Sequence, residues 1–505
     1  MKTLLMHRDR NFDWQRELPA QAENLIQDLG LQVLFKVMSG GDEFLLQVVQ
    51  RGVLWSLTEP EAIVYRQQAL SDCLDHPAIV RAIYDLTVET LVAKKKIFGW
   101  FSHTPEQNLR YAVQVLELLV RMLKRLRQTA LENRTLFKSP AFKRFFAMLV
   151  EELDDEYFAA INEHLRQLQF RRGVLINARL GKGNSALDIV LSRPSTEKQR
   201  WSELIFGPRD GRLWFDVHPR DDGGHQALSE LQARGVNLVA NALTQSTEHV
   251  LGFVVQLRAE LAFYLGCLNL QAALNGKGFA TSLPRPKPAS KPSLSGRGLY
   301  DAALALVASG DVVSNDLSAG SKGLVVITGA NQGGKSTFLR SVGLAQLLMQ
   351  AGMFVPATEF SANVASGVFT HFKREEDKTM TRGKLDEELS RMSRIVDQIQ
   401  PLGVLLCNES FASTNEREGS EIGQQVIGAL NEAGVKVLLV THLFDLSQRF
   451  RREAPDGVLF LRAQRLPDGT RTFKIREGEA LPTSHGKDLY SEIFRDDSSA
   501  SSASD

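Results

Sequence analysis

One stretch of the second half of the chain, VVITGANQGGKSTFLRSVGLAQLLMQAGMFVPA (residues 325–357), constrains the fold more than any other. It joins an apolar strand to a glycine-rich turn and then to a helix. Residues 329–336, GANQGGKS, fit the pattern GxxxxGK[ST] at every fixed position. In that pattern the glycines let backbone N–H groups converge on a polyphosphate, Lys335 reaches its outer phosphates, and the Ser336 hydroxyl holds Mg²⁺. The sequence therefore predicts a nucleotide loop between a strand and a helix.

A second phosphate-handling element is expected where the segment VLLCNES (residues 404–410) leaves a strand. Its apolar run is typical of a buried strand, and Asn408 and Glu409 follow at the carboxyl end, where ligands bind in open α/β sheets. Glu409 is the candidate base or orienting group for an attacking water, and Asn408 the candidate support for Mg²⁺. An ordinary buried strand with polar residues at its exit is the alternative.

A third strand, in the segment VLLVTHLFDL (residues 437–446), ends at Thr441 and His442. An imidazole at this position can sense the outer phosphate of a nucleotide. A single histidine at a strand end is more often an ordinary satisfied polar residue. The order of the three segments along the chain is what favours the functional interpretation.

The periodicity of the chain divides it into a helical part and an alternating strand and helix part, so we expect a multidomain fold. Leu109, Val113 and Leu116 open a helical apolar seam that begins after Pro105, and a second seam from Val250 to Leu268 predicts a helix of six or seven turns. The predicted units are a helical core (1–172), a small β-rich insertion (173–225) containing a hairpin, returning helices (226–278), a Pro/Ser-rich linker (279–299), a C-terminal α/β P-loop domain (300–490) and a disordered tail (491–505).

Composition gives no global case for a nucleic-acid or membrane partner, because the formal net charge is only +1. The three cysteines, Cys73, Cys267 and Cys407, lack the spacing of zinc ligands and indicate a reducing compartment. The N-terminus turns charged after a few apolar residues, unlike a signal peptide. No uninterrupted apolar run reaches the length of a membrane span. We therefore expect a cytoplasmic protein without a membrane partner.

Taken together, the segments SNDL (314–317), ITGANQGGKSTFLRSVGLAQLLMQAGMFVPA (327–357) and THLFDL (441–446) resemble, in order, the ATPase domain of the MutS family, which is an ABC-type ATPase. The similarity covers about residues 300–490. The helical region before it resembles the family's core and lever domains more weakly, with residues 41–74 similar to the start of the core.

The resemblance implies roles for particular residues, with ATP and Mg²⁺ as cofactors. It makes Glu409 the catalytic carboxylate and His442 the switch histidine. Two ATPase domains pair in this family, so it implies a homodimer in which Gly383 and Lys384, within residues 373–392, address the partner's nucleotide; a charged, solvated helix is the alternative for that segment. The nucleotide loop would consist of Gly329, Asn331, Gly333, Gly334, Lys335, Ser336 and Thr337.

The chain also departs from the family pattern. Asn408 stands where the family usually has a metal-binding aspartate, which predicts slow metal-dependent turnover. No segment resembles the family's N-terminal mismatch-recognition domain, so we expect a divergent branch without clear mismatch specificity. A run of basic residues could track DNA phosphates, although a solvated helical face is the alternative; it comprises Arg121, Lys124, Arg125, Arg127, Arg134, Lys138, Lys143 and Arg144.

These observations predict a MutS-like, dimeric, ATP-hydrolysing protein that switches a clamp on duplex or branched DNA, in mismatch repair or related DNA maintenance. The β-rich insertion sits where the family has its clamp, and Arg171, Arg172, Arg179 and Lys182 could meet a duplex there. The alternative is a non-repair ATPase of the same architecture that acts on branched DNA, structured RNA or a protein partner.

Overall fold

The structure of the 505-residue chain is a computed structural model. It describes residues 1–97, 105–168, 176–180, 182, 186–191, 218, 220–374, 383–453, 456–466 and 469–481. Most of these residues are helical, and the strands form three separate sheets.

The first part of the chain is helical, as its apolar periodicity predicts. Its helices are α1 (Ala22–Asp28), α2 (Leu31–Ser39), α3 (Glu43–Leu54), α4 (Pro60–Asp75), α5 (Pro77–Lys96), α6 (Pro105–Asn133), α7 (Pro140–Glu151), α8 (Asp155–Leu168) and α9 (Asp222–Gly276). Helix α6 starts at the predicted proline, and its predicted seam is buried throughout: Leu109, Val113, Leu116, Val120, Leu123 and Leu126.

Helices and strands alternate in the C-terminal part of the chain. The helices there are α10 (Ala302–Val307), α11 (Lys335–Gln350), α12 (Lys384–Gln398), α13 (Glu416–Glu432) and α14 (Phe444–Glu453). The strands of the chain are β1 (Ile176–Leu180), β2 (Ala186–Leu191), β3 (Arg285–Lys287), β4 (Leu294–Leu299), β5 (Asn315–Ser318), β6 (Leu324–Thr328), β7 (Glu359–Asn363), β8 (Val368–Phe372), β9 (Val404–Asn408), β10 (Lys436–Val440), β11 (Val458–Arg465) and β12 (Arg471–Glu477).

The largest sheet has six strands in the order β12-β11-β6-β10-β9-β8. Five of them run parallel and β12 joins β11 antiparallel. Strands β6, β9 and β10 are the three apolar segments predicted as strands, and their carboxyl ends meet at one edge of the sheet. The parallel arrangement thus brings the exits of the three predicted phosphate-handling segments together.

Both faces of this sheet are covered, because successive strand residues point to opposite sides. Val326, Leu405 and Leu439 share one core cluster with residues of α12, α13 and α14. On the other face α11 lies so close that a Cβ at Gly343 would come within 2.3 Å of the Leu406 side chain. The glycine is therefore required for α11, the helix after the glycine-rich loop, to pack against β9.

The β-rich insertion and helix α9 can be compared with what the sequence predicts. The predicted hairpin exists as β1 paired antiparallel with β2. The segment RLWFDVHP (residues 212–219), whose pattern could add another strand, lies outside the described residues except for His218. Helix α9 runs for 55 residues, longer than the predicted six or seven turns, and it begins four residues before the expected boundary at 226. The first turns of α9 contain many polar residues, so an apolar pattern does not show where the helix begins.

The segment 279–299 is not a plain linker. It contributes β3 and β4 to a four-stranded sheet of order β3-β7-β4-β5. Proline is tolerated in β3 because this strand forms the sheet's edge, where Pro286 has a single neighbouring strand. The prolines did exclude a helix, as expected, but they did not exclude strand pairing.

The chain divides into two compact units whose bounds differ from the expected domains. One comprises Met1–Thr3, Arg81–Phe137 and Phe142–Arg258, and the other Leu4–Val80, Lys138–Ala141 and Ala259–Asp505. The first helices of the expected core therefore belong to the same unit as the α/β part. Helix α9 contributes residues to both units.

An N-terminal segment explains why those first helices belong with the second unit. The carboxylate of the fully buried Glu260 accepts hydrogen bonds from the backbone N–H groups of Leu5 (2.6 Å) and Phe12 (3.1 Å). Arg66, also buried, donates to the carbonyl oxygens of Met6 (3.3 Å) and Ala351 (3.0 Å). These bonds tie the segment to α4, α9 and the end of α11.

Helix α9 is long and apolar enough to cross a membrane by length and composition alone. However, 72% of its most apolar window is buried inside the protein, and the core helix of a soluble protein passes the same test. The helix is therefore weak evidence for a membrane span.

Candidate functional site

The glycine-rich loop leaves β6 and enters α11 through two glycines in left-handed conformation, Gly329 with φ 117° and Gly334 with φ 88°. Side chains rarely adopt these angles, so glycine is required. At Gly333 the reason is space, because a Cβ there would lie 2.8 Å from the Cβ of Ala463 on β11. The loop is thus shaped by its own backbone and by the neighbouring strand, and α11 points its N-terminus at the space above it.

Lys335 is the first residue of α11 and is buried, with 4% of its surface exposed. Its Nζ donates to the carbonyl oxygens of Gly329 (2.9 Å) and Ala330 (3.0 Å) inside the loop. Burial lowers the pKa of the Lys335 ammonium, and the nearby Glu409 carboxylate raises it. The loop therefore holds a cation in place at its centre, ready to attract an anionic ligand.

The Ser336 hydroxyl donates a hydrogen bond of 2.9 Å to Oδ1 of Asn408, the last residue of β9. This bond joins the first and second predicted phosphate-handling segments. Among the described residues no group of three His, Cys, Asp or Glu side chains is placed to hold a metal ion. A Mg²⁺ ion here would rely on neutral oxygens of the chain and on oxygens of its ligand, a donor set that Mg²⁺ accepts.

Glu409 follows β9 in a left-handed conformation with φ 55°, which is uncommon for a residue other than glycine. Its backbone N–H donates to the carbonyl oxygen of Val440 at 2.9 Å, at the end of β10. The side chain is half-buried and faces the same cavity as the loop. Such strained conformations concentrate at active sites, where the surrounding structure holds them.

The loop and Glu409 line one cavity of about 590 Å³. Its remaining wall comes from residues that sequence reasoning did not assign to the site. They are Leu299, Tyr300, Asp301, Leu304, Asp311, Val312, Val313, Asn315, Phe338, Ser341 and Phe473. The volume is within the usual range for small-molecule sites.

The structure brings together most, but not all, of the predicted site residues. Asn331, Gly333, Gly334, Lys335, Ser336, Thr337 and Glu409 line the cavity. Gly329 shapes the loop behind it, and Asn408 reaches it through Ser336. His442 is exposed just after β10 and is not part of the cavity wall.

Gly383 and Lys384, the predicted contact to a partner's nucleotide, also lie outside this cavity's wall. Gly383 is the N-cap of α12 and Lys384 its first residue, and both residues are exposed. Residues 375–382 of the same predicted segment lie outside the described residues.

A buried hydrogen-bond network connects the residue after Glu409 with α12. Nδ1 of the fully buried His371 lies 2.7 Å from Oγ of Ser410, and its Nε2 lies 3.1 Å from the carbonyl oxygen of Glu388. The Glu388 carboxylate in turn accepts the backbone N–H of Phe411. Helix α12, which begins directly after Gly383, is therefore tied to the chain that follows Glu409.

Two further pairs involve residues of the cavity wall, and the sequence alone does not reveal them because their members are far apart in the chain. The fully buried Asp301 forms an ion pair with Arg340 of α11, with Nη2 and Oδ2 2.6 Å apart. Asn315 donates from Nδ2 to the carbonyl oxygen of Phe473 at 3.1 Å. The segment SNDL, which carried part of the family resemblance, contains this asparagine; the resemblance alone did not indicate its partner.

The basic run on α6 and α7 is mostly exposed. Two of its members already have acidic partners, since Arg125 pairs with Glu89 at 3.0 Å and Arg127 with Asp155 at 2.7 Å. Lys124 lies over the ring of Phe158 at 5.3 Å. The exposed charge available to an anionic partner is therefore smaller than the sequence suggests. Arg171 and Arg172 lie outside the described residues.

The chain is similar to known proteins over much more of its length than the loop motif. The family "MutS2 N-terminal domain" matches residues 58–277, and the family "MutS domain V" matches residues 325–484. An endonuclease MutS2 of Lacticaseibacillus paracasei is 28% identical over 241 residues, which are 46% of this chain and 31% of that protein.

DNA mismatch repair proteins MutS are similar over a shorter region. That of Thermotoga neapolitana is 35% identical over 138 residues, covering 27% of this chain and 17% of its own. That of Thermus aquaticus is 34% identical over 137 residues, with the same shares. The matches thus span about a third or less of these relatives' length. The two matching families follow one another along the chain, and the relatives include both MutS2 and MutS proteins. The chain therefore belongs to the MutS family.

Proposed function

We propose that the chain is a cytoplasmic, MutS-like ATPase that binds DNA and uses ATP with Mg²⁺ to switch between DNA-bound states. The observation that carries the proposal is the single cavity in which the glycine-rich loop faces Glu409. A phosphate cradle, a buried cation and a carboxylate on a neighbouring strand are the parts that nucleotide hydrolysis requires. The names of the relatives, which include DNA mismatch repair proteins, support DNA as the partner.

The loop residues would bind the phosphates of ATP. Backbone N–H groups at the start of α11 point toward the cavity, and the helix dipole adds a partial positive charge there. The Lys335 ammonium would exchange its bonds to the Gly329 and Ala330 carbonyls for phosphate oxygens, which accept charge-assisted hydrogen bonds. The buried position of Lys335 strengthens this attraction because little water screens it.

Ser336 and Asn408 would support the metal. Bound Mg²⁺ neutralises charge on the phosphates and lets hydrolysis proceed. Ser336 offers a hydroxyl oxygen, and its hydrogen bond to Asn408 fixes the direction of that oxygen. Because Asn408 carries no charge, the site holds the metal less tightly than an aspartate would, and we propose slow turnover for this reason.

Glu409 would orient and deprotonate the attacking water. Its backbone is fixed by the hydrogen bond to Val440, so the carboxylate stays at the cavity wall. His442 stands at the end of the adjacent strand β10 and is exposed, which suits a residue that responds to the presence of the outer phosphate. Gly383 and Lys384 would complete the site of a partner copy in a homodimer.

DNA binding would rest on exposed cations that track phosphates without reading sequence. Arg121 on α6, Arg134 just after the end of α6 and Lys143 on α7 are exposed members of the basic run. Such binding weakens steeply as salt rises, because each phosphate contact releases counterions. Mismatch specificity is not part of the proposal.

The proposal is tested by ATP turnover of the purified protein with homoduplex, mismatched and four-way-junction DNA, each at two salt concentrations. Turnover stimulated by one DNA form and reduced at high salt would support it and identify the DNA class. Turnover without DNA affinity or stimulation would point to the second candidate, an ATPase of the same architecture that acts on RNA or a protein partner.

A further inference from the structure

Two strained residues flank Ser410, directly after the proposed catalytic carboxylate. Glu409 has a φ of 55° and Phe411 a φ of 64°, both in the left-handed region that residues other than glycine rarely adopt. Such conformations persist only where the surrounding structure holds them. The turn 409–411 therefore needs contacts that keep the Glu409 side chain at the cavity wall.

Strand β8 supplies one of these contacts. The fully buried His371 lies opposite Cys407 in the register between β8 and β9, so its ring stands beside the end of β9. Nδ1 of His371 lies 2.7 Å from Oγ of Ser410, which is also fully buried. The same ring stacks on that of Phe411, with centroids 6.1 Å apart and an interplanar angle of 25°. A single imidazole thus contacts both residues that follow Glu409.

The direction of the bond to Ser410 follows from the other nitrogen of the ring. Burial and two nearby arginines lower the pKa of His371 to about 4, so the imidazole is neutral near pH 7 and carries one N–H. Nε2 lies 3.1 Å from the carbonyl oxygen of Glu388, which can only accept, so the N–H is on Nε2. Nδ1 is then an acceptor, and the Ser410 hydroxyl donates to it. The other acceptor near that hydroxyl, the His371 carbonyl oxygen, is farther away at 3.0 Å.

Two further contacts hold the chain after Ser410. The Glu388 carboxylate of α12 accepts the backbone N–H of Phe411. On α13, a Cβ at Gly419 would overlap the carbonyl oxygen of Phe411, so this close approach requires a glycine. The backbone after Ser410 is therefore fixed by α12 and α13, and the bond to His371 fixes Ser410 itself.

We propose that His371 is a positioning residue for the proposed hydrolysis: through Ser410 it holds Glu409 in the conformation that faces the attacking water. His371 is fully buried and is not part of the cavity wall, so it acts on neither the nucleotide nor the metal directly. Displacement of a catalytic group by about 1 Å can lower turnover about 100-fold, so a bond that fixes the turn affects the rate and not ATP binding. The inference rests on the proposed function, in which Glu409 activates the water.

Ser410→Ala tests the bond with the smallest change in volume. We expect kcat for ATP with Mg²⁺ to fall about tenfold, while the dissociation constant for ATP stays within about twofold of the wild type. Turnover is divided by the number of ATP sites found by titration calorimetry, so a misfolded fraction does not enter the rate. Ser447→Ala is the matched control with wild-type kcat, because Ser447 on α14 is similarly buried and lies outside the cavity wall.

Two substitutions of His371 separate its two hydrogen bonds. In His371→Asn the amide takes the place of Nδ1 and can still accept the bond from Ser410, whereas in His371→Gln it takes the place of Nε2 and bonds to the Glu388 carbonyl oxygen. We therefore expect kcat near that of the wild type for His371→Asn and a loss of about tenfold for His371→Gln. Equal losses in the two variants would contradict the role given to the bond with Ser410.

A double substitution distinguishes positioning from general damage to the fold. Glu409→Gln removes the base, so the position of this side chain no longer limits the residual rate. Adding Ser410→Ala to Glu409→Gln should therefore leave the single-turnover rate unchanged. A further loss of about tenfold in that background, or wild-type kcat in Ser410→Ala alone, would overturn the inference.

The outcomes also separate the inference from the proposed function. If the wild type hydrolyses no ATP, or if Glu409→Gln turns over as fast as the wild type, the proposed role of Glu409 fails and the inference fails with it. If Glu409→Gln loses its turnover but Ser410→Ala keeps the wild-type kcat, only the role of His371 is wrong.

Discussion

Ser336 Oγ donates a 2.9 Å hydrogen bond to Asn408 Oδ1 and thereby connects the start of α11 with the end of β9. The contact places a neutral amide beside the position proposed for Mg²⁺. An aspartate would offer the same acceptor oxygen to the serine hydroxyl and add a full negative charge. Because the two side chains have nearly the same shape, the charge can be changed without changing the packing.

We therefore expect Asn408→Asp to increase Mg²⁺-dependent ATP turnover by about tenfold and to lower the Mg²⁺ concentration needed for half-maximal turnover. Turnover measured across a Mg²⁺ titration checks this. Asn408→Ala removes the acceptor of Ser336 and should lower turnover. Identical Mg²⁺ titrations for the wild type and Asn408→Asp would exclude a role for this position in metal binding.

Glu409→Gln should retain ATP binding and reduce turnover at least 100-fold, because the amide cannot accept the proton of the attacking water. Single-turnover measurements with labelled ATP would show bound, uncleaved nucleotide. Glu418, exposed on α13 away from the cavity, supplies the matched control Glu418→Gln with wild-type turnover. Turnover that persists in Glu409→Gln would mean that another group activates the water.

Lowering the pH should destabilise the fold through His371. Burial, together with the nearby Arg391 and Arg374, lowers the pKa of His371 from 6.5 to about 4. Below the ordinary value of 6.5 the unfolded chain binds a proton that the folded chain refuses, so the free energy of unfolding falls as the pH drops from 6.5 toward 4. The full effect is about 3 kcal/mol.

Urea unfolding between pH 7 and pH 5 measures this loss. His371→Gln, which does not titrate, should show a shallower pH dependence than the wild type. Some dependence should remain, because burial also lowers the pKa of His7, to about 3. The exposed His225→Gln should keep the wild-type dependence. A slope in His371→Gln as steep as in the wild type would contradict the assignment.

Glu260→Gln should lower the free energy of unfolding by roughly 2 kcal/mol, since an amide offers one oxygen where the carboxylate accepts two backbone N–H groups. The second N–H, from Phe12 or Leu5, would then lie buried without an acceptor. Glu248 is an exposed residue of the same helix, so Glu248→Gln should be neutral in the same denaturation experiment. Equal stability of the two variants would show that the N-terminal segment is held by other contacts.

The phosphate loop and the strands around it could be predicted because each depends on local sequence. Glycines fixed the turn at residues 329–336, and the apolar runs of β6, β9 and β10 indicated buried parallel strands. The meeting of these segments at one sheet edge followed from their parallel direction. The Ser336–Asn408 contact, by contrast, joins residues far apart in the chain, and no local pattern specifies it.

Phe473, Asn315 and Tyr300 escaped prediction for a related reason. A phenylalanine in an alternating strand pattern is usually a core residue, and the extra residues of the β12 bulge become visible only once the pairing with β11 is known. The segment 279–299 forms strands β3 and β4 although its proline content is typical of a linker, because an edge strand tolerates proline. In each case a tertiary contact outweighs the local preference.

The central claim, that the cavity between the glycine-rich loop and Glu409 binds ATP, is tested most directly by titration calorimetry of the wild type and Lys335→Ala with ATP and Mg²⁺. The account predicts measurable binding by the wild type and a loss of at least about 100-fold in Lys335→Ala, because the buried ammonium makes charge-assisted bonds to the phosphates. Lys291→Ala, at an exposed lysine outside the cavity wall, should bind as the wild type does. Equal ATP affinity of Lys335→Ala and the wild type would contradict the account.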